Sequence, residues 1–325
     1  MKRAIALIAA LAAAACGGTG GSTTGTSSGP ITADEARSAI PSQDQAKIDV
    51  PQQGSGLSSA LTAAPRSGEI TVAGAEFARL TIWLSGSVNL SVAAPLVLVR
   101  TIVDSPPTSC EGDTCTWGPG SSWHDLNEFK LTVTKVDDHY SWALSGRPKS
   151  DASAEFTPFI YGDAWPTDQR WVGHGNFTVD LDAAATKLDH FADSPTTGKV
   201  EVTSYDNRDG QQKVSVNFLT MADQDHAGHE LNTAYQYQNG SGGGDLQVAT
   251  SDVASGVGIT LHSQWKSTGE GRGDAHVTDA PIPYDRSQCW DTAASGFALL
   301  YDSNPASGDA SLCAFDEAPL TIEAP

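Results

Sequence analysis

Residues 127–144, NEFKLTVTKVDDHYSWAL, decide the fold class. Phe129, Leu131 and Val133 alternate with Lys130, Thr132 and Thr134, the period of two that sends successive side chains to opposite faces of a strand. Asp137-Asp138 supplies a turn, after which Tyr140, Trp142 and Leu144 alternate with small or polar neighbours. The stretch therefore predicts an antiparallel hairpin. Similar runs recur at 156–161, 172–182, 199–205, 213–221, 231–238, 246–250, 257–265 and 274–278, separated by turn-forming segments such as 206–210 and 240–244. Strands joined by such short connections pair antiparallel with their neighbours in sequence.

The expectation is an α+β, mainly β fold: a meander of about ten strands, too twisted to stay flat and so curled into a barrel or half-barrel. One face is more apolar than the other, carrying Phe129, Tyr140, Trp142, Phe156, Phe177, Val179, Val214, Val216, Phe218, Tyr235 and Ile259. Something must cover it, and residues 76–103 are the only long apolar candidate. Their pattern suits a helical face (Phe77, Leu80, Leu84, Val88, Val92) but also alternates as strands do. Pro95 interrupts either one, so a broken helix is expected there, ending at Pro106-Pro107. Thr32 and Glu35 form a capping-box pattern that opens a short helix over 32–39. Residues 49–75 read as loop.

The first residues suggest an address. Lys2 and Arg3 precede an apolar stretch, 4–15, and small residues lead directly to Cys16. Twelve residues span only ~18 Å as a helix against roughly 30 Å of hydrocarbon, too short for a permanent span. No long apolar span is expected downstream. The pattern resembles a bacterial lipobox, with Cys16 as the lipidated residue, although Ala13 stands where such motifs usually carry Leu. Simple cleavage with secretion is the alternative. The Gly/Ser/Thr run that follows, through Pro30, reads as a flexible tether of ~20 Å. Gly17 rather than Asp follows Cys16, which favours delivery to the outer membrane over the inner. The expected organisation is a signal peptide (1–15), an anchor and tether (16–31) and one domain (32–325).

The formal charge of −20 argues against nucleic acid, whose phosphates need clustered Lys and Arg, and against flat adhesion to anionic lipid heads. Apart from Cys16, the chain has Cys110, Cys115, Cys289 and Cys313, an even set that fits an oxidising compartment. Pairing of neighbours is the simplest of three possible connectivities. Trp117, Trp123 and Trp290 read as packing around the bridges.

Several features taken in order resemble predicted lipoproteins of myxobacterial (Gram-negative) type, a group uncharacterised in activity: an apolar helix ending in Pro-Pro, Trp117-Gly118-Pro119, a strand meander, His262-Ser263-Gln264-Trp265 before Gly271-Arg272-Gly273-Asp274, and Cys289-Trp290-Asp291 with Leu312-Cys313. The resemblance covers most of 32–315 and implies an envelope address and a single domain. The plan of a helix under a curved sheet is also similar to periplasmic lipoprotein carriers and mycobacterial lipid-binding lipoproteins, at the level of fold.

No catalytic motif and no cofactor site is read. Asp223, Asp225, His226, His229 and Glu230 form the best chemical cluster, with donor types that suit a divalent metal, but an ordinary polar turn explains them as well. Ser263-Gln264-Trp265-Lys266 spells S-x-x-K inside a strand pattern, and Arg272-Gly273-Asp274 reads as a tight turn. Trp165 and Trp171, with Asp163 and Asp168, have the ingredients of a sugar-binding loop, since rings stack on C–H faces while acids accept hydroxyl protons; core packing is the alternative. Three functions follow in order of expectation: a membrane-anchored binding or carrier module for an apolar ligand, a structural or surface scaffold with a filled core, and a metal-dependent enzyme at His226, His229 and Glu230.

Overall fold

The computed structural model describes residues 29–51, 75–121, 126–189, 196–223, 230–240, 242–279, 284–293 and 296–325. Its frame is one antiparallel sheet in which every strand pairs with its neighbours in sequence. The strands are β1 (Ser109–Glu111), β2 (Thr114–Gly120), β3 (Asn127–Val136), β4 (His139–Pro148), β5 (Thr157–Pro166), β6 (Gly173–Asp180), β7 (Thr196–Asp206), β8 (Lys213–Asp223), β9 (Leu231–Gly240), β10 (Gly243–Asp252), β11 (Gly258–Lys266), β12 (Gly271–Thr278), β13 (Tyr284–Ala293), β14 (Gly296–Ser303) and β15 (Ala306–Gly308). The helices are α1 (Ala33–Ala39), α2 (Glu76–Val103) and α3 (Leu181–Lys187).

The meander is as expected, but among the described residues it has fifteen strands rather than about ten, and β1 does not pair with β15, so the sheet is not closed. The extra strands lie at the two ends, where Cys, Gly, Pro and charged residues blur the alternation. There the disulfides and the neighbouring strand supply what the local pattern lacks. Cys110 pairs with Cys115 across the β1–β2 hairpin, and Cys289 of β13 pairs with Cys313. Trp117 and Trp290 are buried, the latter against Gly271 and Phe297; Trp123 lies outside the described residues.

α2 is continuous, which corrects the expected break at Pro95. The missing N–H and the ring clash cost about 3 kcal/mol. Val92, Leu96 and Val99 are fully buried on either side of it, and each such side chain contributes about 1.5–3 kcal/mol relative to exposure. Packing therefore overrides the local breaker. The buried stripe runs Phe77, Leu84, Val88, Val92, Leu96, Val99, Val103, while Trp83, Leu90 and Val97 point outward at seven-residue spacing. Contrary to the expectation of no such span, α2 is long and apolar enough to cross a membrane by length and composition, with a window of mean hydropathy 1.7. In the structure its apolar stripe is instead packed on the sheet.

The helix lies across the apolar face. Its first turns meet β11–β13, where Thr81 Oγ1 lies 2.6 Å from Ser263 Oγ and Phe77 packs over Gly273. A Cβ at Gly273 would sit 3.0 Å from that of Phe77, so only glycine admits this approach without displacement. Elsewhere the helix meets β3 and β7; just past it, the Ser105 carbonyl accepts from Trp117 Nε1 of β2. α1 forms as expected, with the reciprocal Thr32–Glu35 capping box. Ile31, assigned to the tether, is already buried in the body, its N–H donating to the Gly112 carbonyl. α3 was not expected; Asp180 caps it by accepting from the Ala183 N–H.

The predicted inner face is correct at Trp142, Phe177, Val179, Val214 and Val216, which are buried, while Phe129, Tyr140, Phe218 and Tyr235 are partly buried. Two residues correct it. Phe156 precedes β5 and packs against the Lys130 and Arg147 side chains. Ile259 is exposed at the start of β11.

Candidate binding cleft at the end of the long helix

Both ends of α2 carry polar clusters, and they differ in kind. At the N-terminal end, Ala75 provides no side-chain cap. Gln288 of β13 does so from across the core: its Oε1 accepts from the Phe77 N–H at 3.0 Å and its Nε2 donates to Asp302 Oδ2 at 2.7 Å. Arg286 joins Glu76 and Asp302, with Nη1 2.6 Å from Glu76 Oε2 and Nη2 2.6 Å from Asp302 Oδ2. Burial works against the Asp302 charge, but hydrogen bonds from Arg286, the Asn304 N–H and Gln288 outweigh it and hold its pKa below the ordinary value. Every member of this network is paired, as a cluster that fixes a helix requires.

At the C-terminal end, Arg37 of α1 caps the helix by donating Nε to the Val103 carbonyl at 3.0 Å. Beside it opens a cleft of about 410 Å³ between Ser42–Gln45, the last turns of α2 from Leu96 to Asp104, Trp171 and Asn207. Trp171 sits in the β5–β6 loop with φ +65°, a left-handed conformation that non-glycine residues rarely adopt. Asn207, which follows β7, holds it there: Nδ2 donates to the Trp171 carbonyl at 2.7 Å, and Oδ1 accepts from the Gly173 N–H at 2.9 Å. The Arg100 guanidinium stacks 4.3 Å from the centre of the indole and that of Arg170 lies 4.6 Å from it. Arg100 Nη1 donates to the Arg37 carbonyl at 2.8 Å, and Nε is 3.3 Å from Asp104 Oδ1. Burial lowers the Arg100 pKa from its ordinary value; Asp104 opposes this, and the cations Arg170 and Arg37 add to it.

The two tryptophans predicted to share a loop site are separated. Trp165, on the face of the sheet away from α2, stacks on His139 and His174, with ring centres 4.7 and 5.1 Å apart. Asp163 accepts from Ser141 beneath that row. The His174 pKa is lowered by burial and by Arg208, against Asp206 and Asp138. Asp168 is exposed in the β5–β6 loop. Only Trp171 reaches the cleft. Sequence reasoning missed Arg100 and Asn207, because a lone Arg in an apolar helix and an Asn in a turn carry no pattern; the positive φ of Trp171 is visible only in the fold.

The remaining candidates are placed as follows. Ser263 is fully buried under α2. Arg272, Gly273 and Asp274 lie within β12 rather than in a tight turn, the Arg272 side chain pairing with Asp274 at 2.8 Å. Asp225, His226 and His229 lie outside the described residues, and Glu230 is exposed before β9. Among the described residues, no three His, Cys, Asp or Glu side chains converge as metal ligands would. Cys16 and its flanking segment also lie outside the described residues. Comparison with protein-family models, with curated proteins and with solved structures finds no match.

Proposed function

We propose that the chain is an envelope lipoprotein, tethered through Cys16 to the outer membrane after removal of residues 1–15, whose body is a filled-core structural or surface-display module. The observation that carries the body's role is the seating of α2: its seven large apolar side chains from Phe77 to Val103 occupy the face where an apolar ligand would lie. This reading takes the open sheet as a half-barrel wrapped on α2. The two disulfides support an oxidising location, and the small residues before Cys16 support lipidation. A carrier would need α2 to leave the sheet, breaking the hydrogen bond from the Phe77 N–H to Gln288 and the Glu76–Arg286 ion pair.

Solvent extraction of the purified full chain followed by mass spectrometry tests the body's role. The expected result is no stoichiometric lipid beyond the covalent anchor; one bound lipid per chain would return the carrier. Radiolabelled palmitate tests the anchor, with label expected in the wild type and lost in Cys16→Ala. An unlabelled wild type would end the proposal of attachment.

A further inference from the structure

A helix laid on a sheet ordinarily turns a charged or polar side to water. α2 does not. Between Arg79 and Arg100 it carries no charged residue, and only 33% of its most apolar window is buried. Trp83, Leu90 and Val97, which are 47%, 58% and 44% exposed, follow one another along the outward side over ~21 Å of helix. The hydroxyl groups on and beside that side are already satisfied. Ser87 Oγ donates to the Trp83 carbonyl at 2.9 Å, Ser91 Oγ to that of Ser87 at 3.0 Å, and Thr101 Oγ1 to that of Val97 at 2.8 Å. Bonding back to the fourth residue before is how Ser and Thr are accommodated on helices where water is absent. The Asn89 amide is likewise spent, on the N–H and carbonyl of Ile48. A contiguous apolar surface with no unmet donors marks a contact with something apolar.

We propose that this side of α2 rests on the surface of a zwitterionic lipid bilayer, with the helix parallel to the surface and Trp83, Leu90 and Val97 entering it. The proposal rests on the reading of Cys16 as the lipidated residue. What selects lipid as the occupant is the length of chain between Cys16 and the body, and where that chain ends. Residues 16–30 are rich in Gly, Ser and Thr, a composition whose end-to-end distance over that length is ~20 Å. They lead to Ile31, at the foot of α1, and α1 is fastened to the last turn of α2, with Arg37 donating to the Val103 and Ser105 carbonyls. An anchor at Cys16 therefore keeps the C-terminal end of the apolar side beside the membrane. At the other end, exposed Arg79 stands one turn before Trp83, the pairing of basic and aromatic groups that suits a headgroup layer. The charge of −20 selects neutral heads over anionic ones. A second copy is the weaker occupant. A stable pair needs roughly 800 Å² from each chain, more than three partly exposed side chains offer, whereas an anchored chain already holds its apolar side at high effective concentration next to lipid.

The test is tryptophan fluorescence of the full chain on phosphatidylcholine vesicles in which a share of the lipids carries bromine, a quencher, on the acyl chains near the headgroup. Flotation with the vesicles establishes attachment. Should palmitate labelling find the chain unlipidated, its Cys16 thiol is coupled to a maleimide-bearing lipid, so that loss of the anchor and loss of the docking face are read separately. The expected quenching is up to about that of one tryptophan in eight, absent in Trp83→Phe and unchanged between low and high salt, because the contact is apolar and the lipid neutral. Leu90→Glu, an exposed change on the same side, should reduce it by roughly threefold or more; Trp165→Phe should leave it unchanged. Circular dichroism establishes that each variant is folded. The proposal is overturned if the attached wild type is quenched no more than Trp83→Phe, or if folded Leu90→Glu is quenched as the wild type is. Sedimentation of the detergent-solubilised chain as a stable pair that Leu90→Glu separates would give the face to a second copy and overturn it too. Should Leu90→Glu fail to fold, the comparison with Trp83→Phe decides.

Discussion

At its first turn α2 is held by Arg286, Gln288 and Asp302, groups from β13 and β14 that satisfy one another in a closed network. At its last turns the same helix presents Arg100 to an open cleft, where two cations share one indole and a guanidinium nitrogen has no hydrogen-bond partner among the described residues. Both ends use arginine, yet only one arrangement is complete by itself. Polar groups that hold a fold are paired within it, whereas groups that face outward and remain unpaired are available to something else. The contrast separates the structural end of this molecule from its candidate site.

The largest effect should come from breaking the closed end. Arg286→Ala leaves the Asp302 carboxylate, 4% exposed, without its cation, and removing one partner of a buried pair costs about 3–5 kcal/mol. Urea unfolding should register this; a loss below about 1 kcal/mol would mean that the network does not fix the helix. Replacing Cys289 and Cys313 by Ser releases a loop of 24 residues' separation, for which chain entropy predicts a loss of about 3 kcal/mol. Thermal unfolding without reductant measures it, and under reductant, which also opens Cys110–Cys115, the wild type and the double variant should unfold alike.

At the open end the same kind of change should cost less. Trp171→Ala removes the cation–π contacts of a half-buried ring, and Arg100→Gln also removes a hydrogen bond to the Arg37 carbonyl, so each should shift unfolding by about 1–2 kcal/mol. A loss comparable to that of Arg286→Ala would make the cleft a second structural clamp and erase the contrast.

The smallest effect concerns His262 of β11. Its Nε2 is 2.9 Å from Asp245 Oδ1, and its Nδ1 lies 3.1 Å from the Pro319 carbonyl and 3.3 Å from that of Ala318. Burial disfavours the imidazolium, but Asp245 and the two carbonyls outweigh it and raise its pKa. The proton is therefore bound more tightly in the folded state. The stabilisation is fully present below the unfolded value of about 6.5 and is lost as pH rises through the higher folded value. Asp245 has the opposite sense: burial opposes its charge, His262 and Gln264 lower its pKa, and its contribution is lost as pH falls through that lowered value. Trimming of the C-terminal residues by a carboxypeptidase, corrected for the enzyme's own pH profile, should be faster at pH 8 than at pH 6 by less than about tenfold. His262→Gln should abolish the difference; a difference that persists would place the switch elsewhere.

How much of this was legible beforehand follows from the range of each signal. Alternation at Phe129–Val133 and Tyr140–Leu144 is local, so the central hairpin and its neighbours could be read directly. The capping box at Thr32 and Glu35 is also local, and α1 stands where it points. The end strands β1, β2 and β13–β15 were not read because their residues alternate poorly and are held by bridges and by one neighbour. Pro95 misled because its cost is a property of the segment alone, while the burial that outweighs it belongs to the whole sheet. Of the cleft, only Trp171 had been singled out, and for a partnership with Trp165, whose ring instead stacks between His139 and His174.

The sequence by itself determined the mainly antiparallel class, the long apolar segment that covers one face, and the cysteines available for two bridges, because periodicity and composition act over a few residues. Tertiary structure alone decided that the sheet stays open, that Gln288 caps a helix 211 residues away in sequence, and that Arg100, Trp171 and Asn207 meet. Such contacts join segments whose separation along the chain leaves no pattern in it. Their energies are set by what the rest of the fold buries around them.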